Sequence, residues 1–310
     1  MNIFVTGVTG FLGAALCAAL KGQGHEVVGV SSKTCDLRQP GSLDRFTDRR
    51  YDQIYHLAAW TQAGDFCLSH PGEQWLINQR MNTEVLAWWQ RDQPQAKLIA
   101  IGASCGYDPR LPLAEEHYLR GEPLHDLLAY AMAKRMLYVG QQALHEQFGL
   151  SYLHVVPSTL YSPGYPRDGR QPHFIIDLIR KIIHGKVTGE PVVLWGDGYQ
   201  RREVVYRDDV VRCLITLAET CPNELINVGA GEEFTIRQFA AWICDRVGYP
   251  VETIHFDTTR YVGAKSKCLV IAKLKRQLPD IAWTPLDVGL ARTIEWEWKH
   301  YRATQGTVVS

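Results

Sequence analysis

An α/β fold with a doubly wound parallel sheet is predicted by two features of this sequence. Segments typical of strands and helices alternate through the first half of the chain, and glycines follow the first strand segment at a regular spacing. Such alternation is typical of right-handed βαβ units, whose helices cover both faces of a parallel sheet. The alternation is lost after about residue 160, which predicts a smaller, interleaved C-terminal domain.

The first element is a strand at residues 2–5, and a glycine-rich turn and a helix follow it. Gly7, Gly10 and Gly13 have the spacing GxxGxxG. Gly7 permits the tight turn, Gly10 lets backbone N–H groups approach a pyrophosphate, and Gly13 lets the helix pack against the strand. This Rossmann-type pattern predicts a bound dinucleotide. Further contacts to it are expected from the neighbouring residues Thr9, Phe11 and Leu12.

The remaining elements follow in chain order. Further strands are predicted at residues 27–30, 53–56, 97–101 and 152–156, and helices at 13–21, 43–47, 74–90 and 127–148. A loop at 162–169 then leaves the sheet. We therefore expect an NAD(P)-binding domain at residues 1–160, with a returning segment at about 200–220, and a mainly substrate-binding domain at 161–310.

Composition favours a small-molecule ligand. The 310 residues are 46% hydrophobic, enough for a substantial core, and the formal net charge is zero. Neither a nucleic acid nor an anionic membrane is therefore an expected partner. No apolar stretch is long enough to span a bilayer, and the eight cysteines form no CxxC pair. These cysteines predict a reduced cytoplasm, with no structural metal and no disulfide framework.

The end of the second strand bears on the choice of cofactor. Enzymes that bind NAD usually place an acid there for the ribose 2′-hydroxyl, whereas NADP requires donors or cations. Ser31, Ser32 and Lys33 occupy this position, and the first carboxylate is Asp36. NADP is therefore predicted, with NAD still possible and with Lys33 alternatively an ordinary solvated residue. Asp36 and the adjacent Leu37 are expected on the adenine side or as a cap for the next turn.

Tyr130 and Lys134 form a YxxxK pair in the long helix predicted at 127–148. Residues four apart share a helix face, so the phenol and the ammonium can face one cleft. A nearby cation and a positive nicotinamide ring would lower the pKa of Tyr130 toward neutrality and make it a proton donor. Without other evidence, a Tyr and a Lys four residues apart are more often a residue at the edge of the core and a solvated residue. Because this pair follows a dinucleotide-binding motif, a role in proton transfer is favoured instead.

With these motifs in place, the chain resembles the extended short-chain dehydrogenase/reductase family over nearly its whole length. Cys105 and His173 narrow the resemblance to the branch of the GDP-L-fucose synthases, which epimerise and then reduce a 4-keto sugar nucleotide. The stretches that carry the resemblance are residues 56–59, 102–107, 130–134, 157–163, 172–176, 195–203, 206–209 and 227–231.

This resemblance implies roles for four side chains. Tyr130 would protonate the C4 oxygen as hydride arrives, and Lys134 would hold the cofactor ribose and tune Tyr130. Cys105 and His173 would move protons at carbons that the 4-keto group makes acidic, since thiol and imidazole both titrate near neutrality. The alternative is that Cys105 is a small buried hydrophobe and His173 a structural residue.

The resemblance also implies the binding residues. Lys181, Arg202 and Lys267 would contact the diphosphate of a nucleotide sugar, and Trp195 its nucleoside, because cations suit a pyrophosphate. Each of these cations could alternatively be a solvated surface charge. A homodimer formed through the two long helices is expected as well. The further residues expected on the dinucleotide are Leu57, Ala58, Ala59, Pro157, Leu160 and, again, His173.

One departure from the family pattern concerns the reacting oxygen. Ala103 stands where the family usually has a Ser or Thr that hydrogen-bonds the C4 oxygen, and Ser104 lies one place later. A one-residue offset turns a side chain to the opposite face, so Ser104 replaces the hydroxyl only if the backbone shifts. Two alternatives therefore stay open. One is an enzyme that performs only one of these steps on another sugar nucleotide, and the other is a catalytically weak dinucleotide-binding sensor.

Overall fold

A computed structural model of the protein describes residues 1–62, 66–260 and 263–306. The strands are β1 Asn2–Thr6, β2 Glu26–Val30, β3 Gln53–His56, β4 Lys97–Ile101, β5 Tyr152–Pro157, β6 Thr159–Tyr161, β7 Val193–Trp195, β8 Arg201–Arg202, β9 Val204–Tyr206, β10 Glu224–Val228, β11 Phe234–Thr235 and β12 His255–Asp257. The helices are α1 Phe11–Gly22, α2 Phe66–Ser69, α3 Pro71–Asp92, α4 Leu128–Phe148, α5 Phe174–Thr188, α6 Arg207–Thr220, α7 Ile236–Val247, α8 Ala272–Gln277 and α9 Leu286–Gly306.

The central sheet has six strands in the order β10-β5-β4-β3-β1-β2, and every pairing in it is parallel. Val5 of β1, for example, pairs with Gly29 of β2 on one side and with Tyr55 of β3 on the other. The direction of winding reverses between β1 and β3. In sheets of this kind, ligands bind in the crevice outside the carboxyl ends of the strands at this point. The predicted fold class is confirmed.

Alternating side chains on the strands face two different helical layers. Ile3 and Val5 pack in one apolar cluster with α1 and α6, whereas Phe4 packs in another with α3. The ring centroids of Phe4 and Trp88 on α3 lie 4.9 Å apart. This is the two-residue period of a strand buried on both faces.

A third apolar cluster lies in the C-terminal half, where α5, α7 and α9 pack together. Buried Glu297 on α9 holds two cations: Arg180 approaches it at 3.0 Å, and Arg167 forms a second ion pair. The chain also returns to the first half, because α6 packs on α1 and β10 forms one edge of the sheet. The division at residue 160 stays a prediction, and residues 307–310 lie outside the described residues.

Two local predictions differ from the structure. The helix expected at 43–47 is only a 3-10 turn at Asp44–Phe46. The strand expected at 152–156 continues through Pro157, which pairs with Val228 of β10 at the end of β5. Proline has no backbone N–H, and at the last position of a strand this removes only one donor from the sheet. Among the described residues, no helix is long and apolar enough to cross a membrane.

Candidate active site

The glycine turn brings the N-terminus of α1 against the ends of β1 and β3. Gly7 has φ of 74°, a conformation that favours glycine. A Cβ on Gly13 would lie 2.2 Å from the Gly7 carbonyl oxygen, and one on Gly7 would lie 2.8 Å from the Ala58 nitrogen. Gly10 caps α1 without a side-chain hydrogen bond, and the first turn of α1 has no acidic residue. A phosphate suits such a helix N-terminus, so these residues fit a dinucleotide.

Thr6 fixes the backbone that follows β3. Its hydroxyl accepts hydrogen bonds from the N–H groups of Leu57 (3.2 Å) and Ala58 (3.1 Å). Its oxygen also lies 2.9 Å from Nδ1 of buried His56, whose Nε2 lies 3.0 Å from Oδ1 of Asn82. Burial lowers the pKa of His56 to about 4, so the ring is neutral at pH 7. This network places two predicted cofactor residues beside Gly7.

The loop after β2 presents the predicted NADP residues. Ser32 and Lys33 are exposed, whereas the Ser31 N–H donates to the Thr34 hydroxyl at 3.0 Å. Asp36 accepts two hydrogen bonds from the Arg38 guanidinium, at 2.8 and 2.7 Å, and these hold its carboxyl pKa below the ordinary value. Asp36 also accepts from the Arg38 N–H, so it caps this turn. The sequence reasoning missed Arg38, although it lies two residues from Asp36.

The other predicted cofactor residues lie along the same edge. The Phe11 ring lies 4.8 Å from the Tyr165 ring, and the Arg207 guanidinium lies 4.9 Å from Phe11. The Tyr165 hydroxyl accepts from the N–H of His173 at 3.3 Å, so the start of α1 faces the start of α5. Six further residues are predicted to contact the dinucleotide. Thr9 is exposed, Leu12 is partly buried and Leu37 is buried. The other three are Ala59 after β3, Pro157 at the end of β5 and Leu160 in β6.

Tyr130 and Lys134 lie on α4, with the Lys134 Nζ 5.8 Å from the centroid of the Tyr130 ring. That ammonium donates to the Ile101 carbonyl at the end of β4, at 2.7 Å. Burial lowers the pKa of Lys134 to about 8, and Cys105 opposes this shift. Burial raises the pKa of Tyr130 above its ordinary value, and the neighbouring Cys105 raises it further. The predicted lowering requires a bound, positively charged nicotinamide as well as the cation, whereas in the protein alone desolvation raises the pKa of Tyr130.

Cys105 lies in a 3-10 turn at Ser104–Gly106, directly after β4. Ala103 precedes this turn in an extended conformation, and Ser104 is its first residue. Burial raises the pKa of the Cys105 thiol, whereas Lys267 and Lys134 lower it. Tyr130 is close enough for Cys105 to raise its pKa electrostatically. The turn therefore places the Cys105 thiol close to Tyr130 and Lys134.

His173 and Lys267 reach this cluster from the second half of the chain. His173 precedes the first turn of α5, and desolvation together with Lys267 lowers the pKa of its imidazole. Lys267 also interacts electrostatically with Cys105 and Arg202. The structure thus brings Lys267, predicted to contact a diphosphate, close to the thiol and imidazole as well.

Two carboxylates hold the segment that contains Lys267. Buried Glu203 accepts from the N–H groups of Gly231 (2.7 Å) and Leu269 (3.0 Å). Glu233 accepts from the Lys267 N–H at 3.1 Å. The Arg202 guanidinium also donates to the Ala264 carbonyl at 2.7 Å. Hydrogen bonds between residues so far apart in the chain cannot be recognised from a pattern in the sequence.

Lys181 and Trp195 lie together at the start of the second half. The Lys181 Nζ is 2.8 Å from a carboxylate oxygen of Asp177 and 5.9 Å from the Trp195 ring centroid. Trp195 is 37% exposed, and the Arg260 guanidinium also lies over its ring at 5.7 Å. The described residues contain no group of three or more metal-ligating side chains.

Comparison with known proteins places the chain in context. The model of the NAD dependent epimerase/dehydratase family matches residues 3–229. The GDP-L-fucose synthase of Escherichia coli K12 is 30% identical, over 95% of this chain and 96% of that protein. The GDP-L-colitose synthase of Yersinia pseudotuberculosis is 27% identical, over 96% and 97%. A solved GDP-L-fucose synthetase from Naegleria fowleri, bound to NADP, has a TM-score of 0.83 and 28% identity, over 97% of this chain and 95% of that one.

Proposed function

This chain belongs to the NAD dependent epimerase/dehydratase family, and from that premise we propose that it epimerises and reduces a nucleoside-diphosphate 4-keto-6-deoxy sugar. The observation that supports this most directly is the cluster of Tyr130, Lys134, Cys105, His173 and Lys267 beside the dinucleotide turn. A phenol with a cation serves a reductase, and a thiol with an imidazole serves an epimerase. The relatives named for GDP-L-fucose and GDP-L-colitose synthesis favour the same pair of steps.

The chain is an NAD(P)-dependent enzyme of the nucleotide-sugar epimerase/reductase class, and NADP is its cofactor. When bound, NADPH supplies the hydride. Gly7, Gly10 and Gly13 would let backbone N–H groups contact its pyrophosphate. Lys33 would offer a cation to the 2′-phosphate, and Arg38 already neutralises the nearby carboxylate of Asp36.

In the reduction, Tyr130 donates its proton to the C4 carbonyl oxygen while the carbonyl carbon is reduced. Its raised pKa keeps the phenol protonated at neutral pH, as a donor requires. Lys134 is mostly protonated below its pKa of about 8, and its bond to the Ile101 carbonyl fixes the ammonium beside the phenol. Ser104 is a further candidate donor to the same oxygen.

In the epimerisation, one group removes a proton at C3 or C5 and another returns one to the opposite face. The raised pKa of Cys105 makes it a thiol, and the lowered pKa of His173 makes it a neutral imidazole. The pair therefore contains one acid and one base before substrate binds. Lys267 would stabilise the thiolate that forms when Cys105 gives up its proton.

The substrate would extend from this cluster toward Trp195. Arg202 and Lys267 would contact the diphosphate, and Lys181 and Trp195 would contact the nucleotide end.

We further propose a cytoplasmic homodimer formed through α3 and α4. These helices pack together and expose Leu76 and Met136, and the eight cysteines are all unpaired, which suits a reducing compartment.

Ala103 keeps a second function open, because it removes one hydroxyl from the reaction site. An enzyme with only one of the two activities on another sugar nucleotide would tolerate that loss, and a dinucleotide-binding sensor would need neither activity. Incubation with NADPH and a panel of nucleoside-diphosphate 4-keto sugars in deuterated solvent separates these cases. NADPH oxidation with deuterium at C3 and C5 supports the proposal. Oxidation without exchange indicates a reductase, exchange alone indicates an epimerase, and neither indicates a sensor.

A further inference from the structure

A buried ion cluster on α9 lies outside the stretches that carry the family resemblance. Glu297 is fully buried, and its two carboxylate oxygens accept from the Arg180 guanidinium at 3.0 Å each. Arg167 donates to the same carboxylate, and also to the Glu297 carbonyl oxygen at 3.3 Å. The desolvation cost of a buried ion pair often cancels its electrostatic gain, so stability alone does not explain this cluster.

The two arginines fix the loop between β6 and α5. Arg167 belongs to this loop, and its ion pair with Glu297 joins the loop to α9. Arg180 donates to the carbonyl oxygens of Tyr165 (3.4 Å) and Pro166 (3.2 Å). Its guanidinium also lies 5.9 Å from the centroid of the Tyr165 ring. Both the backbone and the ring of Tyr165 are therefore held by a group that Glu297 orients.

Tyr165 in turn contacts His173, the predicted partner of Cys105. The Tyr165 hydroxyl accepts from the His173 N–H at 3.3 Å, and the centroids of the two rings lie 6.3 Å apart. The His173 carbonyl oxygen begins α5, because it accepts from the N–H groups of Ile176 and Asp177, both at 3.0 Å. His173 as a whole residue is exposed, so packing does not fix it on all sides. The hydrogen bond and the ring contact with Tyr165 therefore help to set the direction of the imidazole.

We propose that Glu297 is a positioning residue for His173, which acts through Arg180 and Arg167 on the loop and through Tyr165 on the imidazole. The inference rests on the proposed epimerisation, in which His173 takes part in moving a proton. Proton transfer depends on the distance and direction between donor and acceptor, and a displacement of 1 Å can reduce a rate about 100-fold. Loss of one of these contacts loosens His173 without removing it, so a smaller effect is expected.

The test uses Tyr165→Phe, which keeps the ring and removes the acceptor of the His173 N–H, and Glu297→Gln, which keeps the shape and removes the charge. NMR in deuterated buffer follows exchange of the C3 and C5 protons of GDP-4-keto-6-deoxymannose, and NADPH oxidation follows hydride transfer to the already epimerised ketone. We expect each variant to slow exchange about tenfold and to leave hydride transfer within about twofold of the wild type. Tyr249→Phe, in the same apolar cluster as Tyr165, is the matched control and should match the wild type.

The double variant tests whether Glu297 acts through Tyr165. Residues in one network have non-additive effects, so the combination of both substitutions should slow exchange about tenfold rather than 100-fold. Additive losses would overturn the proposal, as would wild-type exchange in either single variant. An equal loss of exchange and hydride transfer would also overturn it, because a general structural role predicts that result.

A milder variant covers the case in which Glu297→Gln does not fold, since breaking a buried ion pair lowers stability. Arg167→Gln leaves Glu297 paired with Arg180 and frees the loop from one of its two contacts with α9. It should slow exchange in the same direction, and wild-type exchange in Arg167→Gln would then overturn the proposal.

A measurement without substrate separates this inference from the proposed function. The ¹H–¹⁵N signal of His173, assigned through His173→Asn, reports on its N–H directly. Exchange of this N–H with solvent should be about tenfold faster in Tyr165→Phe and in Glu297→Gln, because both lose the contact that protects it. An unchanged rate overturns the inference. Absence of sugar-proton exchange in the wild type would count against the proposed function alone.

Discussion

At the scale of single residues, desolvation governs the chemistry of the cluster around Tyr130. Desolvation raises the pKa of Tyr130 and Cys105 and lowers the pKa of Lys134 and, together with the charge of Lys267, of His173, although His173 as a whole residue is exposed. Burial thus disfavours the charged form of each group. Proton donors therefore enter the reaction protonated and the imidazole enters it neutral, which suits general acid and base catalysis.

The first prediction concerns Tyr130. Tyr130→Phe should abolish hydride transfer and leave NADPH affinity nearly intact, because the phenol acts on the substrate oxygen. Lys134→Ala should weaken both, since the ammonium lies between the phenol and the end of β4. Stopped-flow NADPH oxidation and fluorescence titration give the two quantities. Retention of most of the rate in Tyr130→Phe would show that another group donates the proton.

A second prediction separates epimerisation from reduction. Cys105→Ser should strongly reduce the exchange of the C3 and C5 protons with deuterated solvent that accompanies inversion, because a hydroxyl has a far higher pKa than a thiol and is a poorer acid for returning a proton. His173→Asn should impair the same exchange. Hydride transfer to an already epimerised ketone should survive Cys105→Ser much better, since Tyr130 and Lys134 remain. NMR of the sugar protons measures the exchange. Unchanged exchange in both variants would show that Cys105 and His173 have only a structural role.

At the scale of elements, the contact between β1 and α1 decides whether a phosphate can approach. Gly13 lies against the Gly7 carbonyl, and Gly7 lies against the backbone of Ala58. These three backbone segments meet without side chains between them. Only helix and strand ends packed this closely present their N–H groups to a pyrophosphate.

Gly13→Ala tests this packing. The new Cβ would lie 2.2 Å from the Gly7 carbonyl oxygen, so α1 must move away from β1. We expect loss of NADPH binding and a lower free energy of unfolding. Gly22→Ala, at the last residue of the same helix, meets nothing within 4 Å and serves as the control. Equal effects of both substitutions in calorimetry and fluorescence titration would refute the close approach.

The loop after β2 gives a prediction about cofactor choice. NADPH should bind more tightly than NADH, because Lys33 is exposed and available for a 2′-phosphate and the Asp36 carboxylate is already paired with Arg38. Lys33→Ala should weaken NADPH and leave NADH unchanged, whereas Lys21→Ala, exposed near the end of α1, should change neither. Fluorescence titration measures the affinities of the wild type and of both variants for each cofactor. Equal affinities of the wild type for the two cofactors would contradict the prediction.

At the scale of the whole molecule, the cluster of reacting groups draws on both halves of the chain. Tyr130, Lys134 and Cys105 come from the sheet and its helices, and His173 and Lys267 come from the second half. A fully buried histidine lies in the first half. His154 lies in β5, with Nδ1 2.8 Å from Gln141 Oε1 and with Nε2 against Gly102.

His154 should make stability depend on pH. Burial, followed by the charge of Lys134, lowers its pKa to about 3. The unfolded chain therefore binds more protons than the folded one between pH 6.5 and about 3, so the free energy of unfolding falls as pH falls through this window. Between pH 7 and 5 the loss should be about 2 kcal/mol for this group. Urea unfolding should show a smaller pH dependence in His154→Gln than in the wild type, with exposed His125→Gln as control. An equal dependence in His154→Gln would contradict the assignment.

The sequence by itself determined the features that depend on local spacing. The strand, glycine turn and helix at the N-terminus and the shared face of Tyr130 and Lys134 follow from the periods of 2 and 3.6 residues, and the structure has both. The parallel sheet was predictable for the same reason, since alternating strands and helices pack in few ways. The position of Cys105 directly after β4 also followed from the strand pattern.

Only the tertiary structure decided which groups meet and how they titrate. Lys267 lies near Cys105 because Glu203 and Glu233 bind its segment, and Asp36 is paired with Arg38. In the protein alone, desolvation raises the pKa of Tyr130, whereas the helix face shared with Lys134 and a positive nicotinamide ring predict a lowering. The physical reason is that desolvation depends on all the atoms packed around a group, whereas sequence spacing specifies only its neighbours along one element.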